Sequence, residues 1–321
     1  MGQLLRSLVV LAASLAADAA LAQAFPAKPI RVIVGFPAGS GTDVAARILS
    51  VPLQAQLGQP VVIENRPGAA GAIGAAAVAK ADPDGYLLYF GSAEFFHPVM
   101  LKSGALDAAR EFAPISDSMS APLVFWVSAK IPVQSFQELL AYSRANPEKL
   151  NAATALPQDS LMLAMVRNAS GFSYTEVTGI QGTLQLMPLL ISGEIAVRPS
   201  LYGTLAAARA SGIVRPLFVT APARVAQYRD IPTASEVGLP KTLESIALTF
   251  GYWAPKATPG AVTARLTSAA MAAARATDTV ERFHKVGYEA VGSSAEEQLK
   301  KFESNMAMWA EAARIAKYEQ K

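Results

Sequence analysis

Ile30-Arg31-Val32-Ile33-Val34-Gly35-Phe36-Pro37-Ala38-Gly39-Ser40-Gly41-Thr42-Asp43 reads as a strand, a small-residue turn and the opening of a helix. Ile30, Val32, Ile33 and Val34 form a short apolar run bounded by turn residues, as a buried strand does. Pro37, Gly39, Ser40 and Gly41 break that run. Beyond Asp43 the apolar positions Val44, Ile48 and Val51 recur at helical spacing. A helix start leaves backbone N–H groups without intrahelical partners, and its dipole adds partial positive charge there. Gly39 and Gly41 let a ligand approach that backbone closely. The turn from Phe36 to Thr42 is therefore a candidate cradle for a carboxylate or phosphate. It is not a dinucleotide fingerprint, because Val44 stands where a third glycine is needed. It is not a P-loop either, because no lysine is present.

The unit repeats along the chain. Gly58-Gln59-Pro60 leads into a second strand, Val61 to Glu64, and a second glycine-rich turn follows, Asn65-Arg66-Pro67-Gly68-Ala69-Ala70-Gly71. Ile73 to Ala81 reads as a helix stopped by Asp82-Pro83-Asp84-Gly85, and Tyr86 to Phe90 as a third strand. Alternating strands and helices predict an α/β fold with a parallel sheet, and ligands bind at the carboxyl ends of such strands. Pro52 is expected to kink the first helix or end it early.

Composition limits the function classes. A chain of 321 residues, 52% hydrophobic and 17% charged, can bury a large core and is expected to fold as two domains. A net charge of +3 without a basic stripe gives no argument for nucleic acid. With no cysteine there are no disulfides, thiol nucleophiles or cysteine metal sites. Arg6, the apolar stretch Leu8 to Ala17 and the small residues up to Ala24 read as a cleavable export signal over residues 1–24. Asp18 interrupts the apolar stretch, which argues against a retained anchor. Loss of Arg6 and Asp18 together leaves the net charge unchanged.

Several segments, in one order, carry a resemblance. They include Phe36-Pro37-Ala38-Gly39-Ser40-Gly41-Thr42-Asp43, Glu64-Asn65-Arg66-Pro67-Gly68-Ala69-Ala70-Gly71, Ala81-Asp82-Pro83-Asp84-Gly85-Tyr86, Asp230-Ile231-Pro232-Thr233-Ala234-Ser235-Glu236-Val237-Gly238-Leu239-Pro240 and Ala254-Pro255-Lys256-Ala257-Thr258-Pro259. The chain resembles the periplasmic solute receptors of tripartite tricarboxylate transporters, the Bug receptors. That resemblance implies a two-lobed periplasmic-binding-protein (Venus flytrap) fold, each lobe a mainly parallel sheet flanked by helices. It implies a ligand cleft between the lobes, small carboxylate ligands, a membrane permease as partner and no enzymatic activity. On this reading lobe 1 comprises residues 25–122 and 249–321, and lobe 2 residues 123–248. The protein is expected in the periplasm, as a monomer, with no cofactor and no metal.

Lobe 2 departs from the family at loops that face the cleft. Where the receptors carry a Tyr-Lys-Gly-Gly turn, this chain has Ile180-Gln181-Gly182-Thr183; where they end the next strand with aspartate, it has Ala196, then Arg198. A Gly-Asn-Gly-Thr-like loop is replaced by Ala155-Leu156-Pro157-Gln158-Asp159-Ser160. The candidate ligand set is therefore Phe36, Pro37, Ala38, Gly39, Ser40, Gly41, Thr42, Asp43, Ser92, Phe95, Gln158, Gln181, Gly182, Thr183 and Arg198. Arg198 suits a bidentate contact with a distal carboxylate, or an ion pair within the lobe. Phe95 and Phe96 suit packing against a ligand body, or core packing. Asp43 is expected to order the turn as a helix-start carboxylate, and Glu94 to be a solvated loop charge.

The remaining motifs are structural. Ser135 with Glu138 and Ser294 with Glu297 are capping boxes. Leu299, Phe302, Met306 and Trp309 recur on one helix face as core positions. His97 reads as a packing residue and His284 as a surface one. No Gly-x-Ser-x-Gly elbow and no metal-ligand spacing is present. The function expected is capture of a di- or tricarboxylate or an aromatic carboxylate for a tripartite transporter. The alternative is a sensor that passes the same signal to a membrane kinase.

Overall fold

The computed structural model describes residues 25–101, 105–147, 149–154, 156–180 and 183–316. The expected export signal, and Gln181 and Gly182 of the candidate set, lie outside the described residues. The first strand, β1 (Ile30–Val34), buries Ile30, Val32, Ile33 and Val34 completely. Helix α1 (Gly41–Leu57) follows, with Ser40 as its N-cap and Gly58, at φ 70°, as its C-cap. It packs Ala45, Ala46, Ile48, Leu49, Leu53 and Leu57 on the sheet. Pro52 does not end α1 early: the helix continues past it to Leu57. The missing N–H removes one helical bond. The buried residues on both sides of Pro52 keep the helix docked.

The order continues β2 (Val61–Asn65), α2 (Ala72–Ala79), β3 (Leu87–Gly91), α3 (Ala108–Glu111) and the long β4 (Phe112–Ser128). The next units are α4 (Phe136–Ala145), β5 (Asn151–Thr154), α5 (Pro157–Ser170), β6 (Thr175–Thr178), α6 (Thr183–Ser192), β7 (Val197–Leu201), α7 (Tyr202–Ala210) and β8 (Val214–Val219). The chain returns through β9 (Ala247–Pro255) and ends with α8 (Gly260–Arg275), α9 (Thr277–Lys285), β10 (Glu289–Ala290) and α10 (Ala295–Ala316). Strand order is β2-β1-β3-β9-β4-β7-β5-β6, with β10 and β8 also on β4. The sheet is mixed. The βα units supply the parallel pairs β1/β2, β1/β3, β5/β6 and β5/β7, while β4 and β9 run antiparallel to all their neighbours.

Strand β4 belongs to both halves. Phe112 to Pro122 pairs with β9, and Leu123 to Ser128 pairs with β7 and β8. The sequence shows only Leu123 to Val127 as a strand, because Pro114 and Pro122 and a run of serines disguise the rest. The strand accommodates them with register shifts between Pro114 and Ser116 and between Asp117 and Met119. Thr220 fastens the change of sheet. Its Oγ1 accepts from Leu123 N–H at 2.8 Å and donates to the Ile246 carbonyl at 2.6 Å, and its own N–H reaches the Leu123 carbonyl at 2.9 Å. Thr220 is fully buried. The capping boxes form, with Glu138 N–H on Ser135 Oγ at 3.2 Å and Glu297 N–H on Ser294 Oγ at 3.1 Å. Phe302, Met306 and Trp309 are core residues. Helix α10 packs on β4, as expected, and also touches α5, where Asn168 Nδ2 donates to the Ile315 carbonyl at 3.0 Å.

Thr220→Val removes the hydroxyl at constant shape and leaves the Leu123 N–H and Ile246 carbonyl buried and unpaired. A loss of about 1–3 kcal/mol in urea unfolding is expected, with most of it recovered in Thr220→Ser. A loss for Thr220→Val within about 0.5 kcal/mol of zero contradicts this account of the crossover.

Candidate functional site

Two polar walls stand out, one on each half. The first is the turn after β1. Asp43, at the third position of α1, is only 2% exposed. Its carboxylate accepts from Gly39 N–H at 2.9 Å, from Arg47 Nε at 2.9 and 3.1 Å, and from Asn65 Nδ2 at 2.9 Å. Asn65 also donates to the Phe36 carbonyl at 2.9 Å, and Arg47 Nη2 donates to Asn65 Oδ1 at 3.2 Å. Burial opposes ionisation of Asp43. The hydrogen bonds from Arg47, Gly39 and Asn65 outweigh it and hold the pKa below the ordinary carboxylate value. Asp43 thus orders the turn, as its place at the helix start suggests.

That network also decides which backbone donors remain. Gly39 N–H is taken by Asp43, Ser40 N–H by the Pro37 carbonyl at 3.1 Å, and Asp43 N–H by Ser40 Oγ at 3.3 Å. The N–H groups of Ala38, Gly41 and Thr42 have no hydrogen-bond partner among the described residues. Pro37, Ala38 and Gly39 are exposed, and Phe36, Ser40 and Gly41 half-buried. Gly39 contributes conformation, at φ +80°, rather than a free donor.

The second glycine-rich turn packs beside the first. A Cβ on Gly35 would lie 2.6 Å from the Gly71 Cα and 2.9 Å from the Tyr89 hydroxyl, so only glycine permits this approach. Gly68, Ala69, Ala70 and Gly71 all have positive φ, at 131°, 46°, 53° and 96°. Two alanines held in the left-handed region store backbone strain, a feature that clusters at ligand sites. Sequence reasoning noted this turn but left it out of the candidate set. The flanking Gly68 and Gly71 were the available signal. The Ser92 hydroxyl, fully buried, has no partner. Phe95 is buried, edge-on to Phe36 at 5.7 Å and to Phe250 at 5.8 Å between ring centroids.

One expectation fails here. Glu94 is not a solvated loop charge but 1% exposed. Its carboxylate accepts from Asn305 Nδ2 at 2.6 Å and Trp309 Nε1 at 2.8 Å of α10, and from Thr249 Oγ1 at 3.4 Å. The donors sit 155, 211 and 215 residues further along the chain, which is why the local sequence gives no sign of them.

The second wall belongs to β7 and the start of α5. Arg198, 7% exposed, lies directly across from Trp126 in the β4/β7 register. Its Nη2 is 4.0 Å from Asp159 Oδ2, while Nε and Nη1 are buried without a hydrogen-bond partner. Gln158, fully buried, has no partner for either amide atom. Asp159 Oδ2 accepts from Leu156 N–H at 3.2 Å and so caps α5. Ser160 and Thr154 donate to Glu176 Oε1, Thr154 at 2.9 Å. Thr183 opens α6.

The two walls meet at the end of β7. The Leu201 Cδ1 would lie 3.7 Å from a Cβ on Gly41, at the start of α1. Leu201 is three residues beyond Arg198, roughly 10 Å along a strand. No cluster of three or more His, Cys, Asp or Glu that could hold a metal occurs among the described residues. His97 is half-buried against the Phe302 ring, and His284 lies at the surface 3.4 Å from Glu289.

Asp43→Asn is expected to lower the melting temperature at pH 7. Because the folded-state pKa of Asp43 lies below its ordinary value, the wild-type advantage is present above that value and shrinks as pH falls below about 4. A deficit that does not change between pH 7 and pH 3 contradicts the charge-based role.

The comparisons with known proteins agree with this architecture. The family described as "Tripartite tricarboxylate transporter family receptor" matches residues 45–315. A UPF0065 protein of Bordetella pertussis is 34% identical over 295 residues, covering 89% of this chain and 88% of its own length. Protein BugT of the same organism is 32% identical over 245 residues, covering 74% and 73%. Among solved structures, the periplasmic binding protein BugD superposes with a TM-score of 0.83 at 29% identity, covering 92% of this chain and 100% of its own. An R. palustris protein, Rpa4515 with adipate, gives 0.84 at 26% identity, covering 91% and 98%. This chain belongs to the tripartite tricarboxylate transporter receptor family and has the two-lobed fold of its periplasmic binding proteins.

Proposed function

We propose that this protein is an exported receptor that captures a linear dicarboxylate in the cleft between its lobes and hands it to the membrane permease of a tripartite transporter. Lobe 1 is taken as residues 25–122 with 249–321, and lobe 2 as 123–248. The observation that carries the reading is the buried guanidinium of Arg198, 4.0 Å from Asp159, whose Nε and Nη1, like both amide atoms of Gln158, lack a partner among the described residues. A buried cation leaves donors unmatched only at a large desolvation cost, and a carboxylate is the group that matches a guanidinium edge.

Lobe 1 offers the complementary end. The free N–H groups of Ala38, Gly41 and Thr42, at the positive end of α1, suit a carboxylate, and the Ser92 hydroxyl can join them. A ligand with one anionic group at each end satisfies both walls; a monocarboxylate leaves one unsatisfied. The relative Rpa4515, solved with adipate, supports a diacid. Hydrogen bonds to charged groups contribute about 1.5–3 kcal/mol each, so a few at either end give micromolar affinity after association costs. Closure requires only that the closed form bind the diacid better than the open one. The site offers backbone donors, a guanidinium and an amide, which suits capture rather than bond-breaking. Gln181, Gly182 and Thr183 remain candidate ligand residues on the sequence alone.

Calorimetric titration with adipate and with pentanoate tests this. Arg198→Ala is expected to weaken adipate at least tenfold and pentanoate less than threefold. Equal losses, or none, contradict the distal-carboxylate role. Uptake of labelled adipate by cells should fall when the gene is deleted; undiminished uptake with intact binding contradicts the transport role.

A further inference from the structure

We propose that Glu94 is a positioning residue of the ligand site, through which the C-terminal helix α10 sets the stance of the lobe 1 wall. The inference rests on the receptor reading above. Glu94 sits in the short turn Ala93–Phe96 that follows β3, and each neighbour in this turn has a separate task. Ser92 occupies the residue before it, without a side-chain cap bond, and brings a buried hydroxyl that has no partner among the described residues. Phe95 packs edge-on to Phe36, the first residue of the anion turn. The Phe95 N–H closes back on the Ser92 carbonyl at 3.4 Å, and the His97 N–H on the Glu94 carbonyl at 3.3 Å.

A turn this short cannot hold its own position by local bonds. Glu94 supplies the anchor. Both carboxylate oxygens are engaged by α10, Oε1 by Asn305 and Oε2 by Trp309, and all three side chains are buried. Burying a carboxylate is costly, and a merely structural contact here would be served by an apolar side chain. The same helix continues to lobe 2, where the Ile315 carbonyl accepts from Asn168 of α5. Helix α5 begins with Pro157, Gln158 and Asp159 of the second wall. Thus one helix, α10, grips the turn behind the first wall and touches the helix that carries part of the second.

The charge environment fits an anchor. Burial raises the pKa of Glu94, and hydrogen bonds from Asn305 and Trp309, the charge of Lys301 and the Thr249 hydroxyl oppose it. Asp117 of β4 is pushed up to about 7 by burial and by the charge of Glu94, against a hydrogen bond from Gln298 and the charge of Lys301. The geometry alone defines the role, since the donors from α10 reach the carboxylate whatever its neighbour does.

Glu94→Ala, Glu94→Gln and Trp309→Phe in the full chain test it by two readouts. Amide hydrogen exchange by NMR, without ligand, follows the bonded N–H groups of Gly39, Ser40, Phe95 and His97. In Glu94→Ala these are expected to exchange at least tenfold faster, while β1 and β5 amides keep their rates. Glu94→Gln keeps an acceptor for Trp309 and should return them to within threefold of wild type. Trp309→Phe keeps the ring in the core and should give a smaller acceleration, about threefold, in the same four amides; it serves if Glu94→Ala does not fold. Adipate affinity should fall at least fivefold in Glu94→Ala and return to within twofold in Glu94→Gln. Wild-type exchange at Gly39 and Ser40 in both Glu94→Ala and Trp309→Phe overturns the proposal. So does acceleration spread equally through β1 and β5, which marks general destabilisation. Failure of the wild type to bind adipate counts against the receptor reading alone, because the exchange readout uses no ligand.

Discussion

Everything in this fold depends on one strand being a member of two sheets. Strand β4 leaves β9 at Pro122 and joins β7 and β8 at Leu123. At that point a backbone group loses its ladder partner, and an orphaned N–H in the core costs about as much as a lost hydrogen bond. Thr220 resolves this with one hydroxyl. It takes the Leu123 N–H and passes a proton donor on to Ile246, where the chain turns back into β9. The two strands that connect the halves are thereby tied together at their crossing.

That architecture places the two polar walls on different halves of the fold. Each reaches the same character by a different route. In the first, the buried Asp43 draws Gly39, Arg47 and Asn65 to itself, and this fixes a turn whose remaining N–H groups point elsewhere. A negative side chain can thus sit at the heart of a proposed anion site, because its charge is consumed by its own partners. In the second wall the cation is explicit. Arg198 is held at the sheet by its neighbours, with Asp159 4.0 Å away at one nitrogen and two nitrogens unpartnered. A buried guanidinium whose hydrogen-bonding capacity is only partly used is unfavourable. On the proposed reading, a ligand carboxylate relieves that cost.

The sequence carried the parts of this that depend on nearest neighbours. The strand, turn and helix from Ile30 to Leu57, the capping boxes at Ser135 and Ser294, and the core face of α10 are all local patterns, and the structure forms each of them. It did not carry what depends on distant partners. Glu94 looked like a loop charge because Asn305 and Trp309 are encoded at the other end of the chain. The length of β4 was hidden because Pro114 and Pro122 are breakers in a propensity reading, and bulged pairing with β9 absorbs them. Pro52 was expected to kink α1 or end it early; it does not end the helix, because burial of Leu49 and Leu53 outweighs one lost helical bond. Arg198 was legible as a residue that could go either way. Its burial, its 4.0 Å approach to Asp159 and the two nitrogens without a partner among the described residues are tertiary facts that no local pattern encodes.

The central claim is that the two walls grip opposite ends of one diacid. A crystal structure of the protein grown with adipate tests it most directly. The account predicts one carboxylate against the Ala38, Gly41 and Thr42 N–H groups and the other within hydrogen-bond reach of Arg198 Nε and Nη1, with the lobes closed around it. Adipate bound away from Arg198, or a cleft without adipate in protein shown to be free of retained ligand, would contradict it.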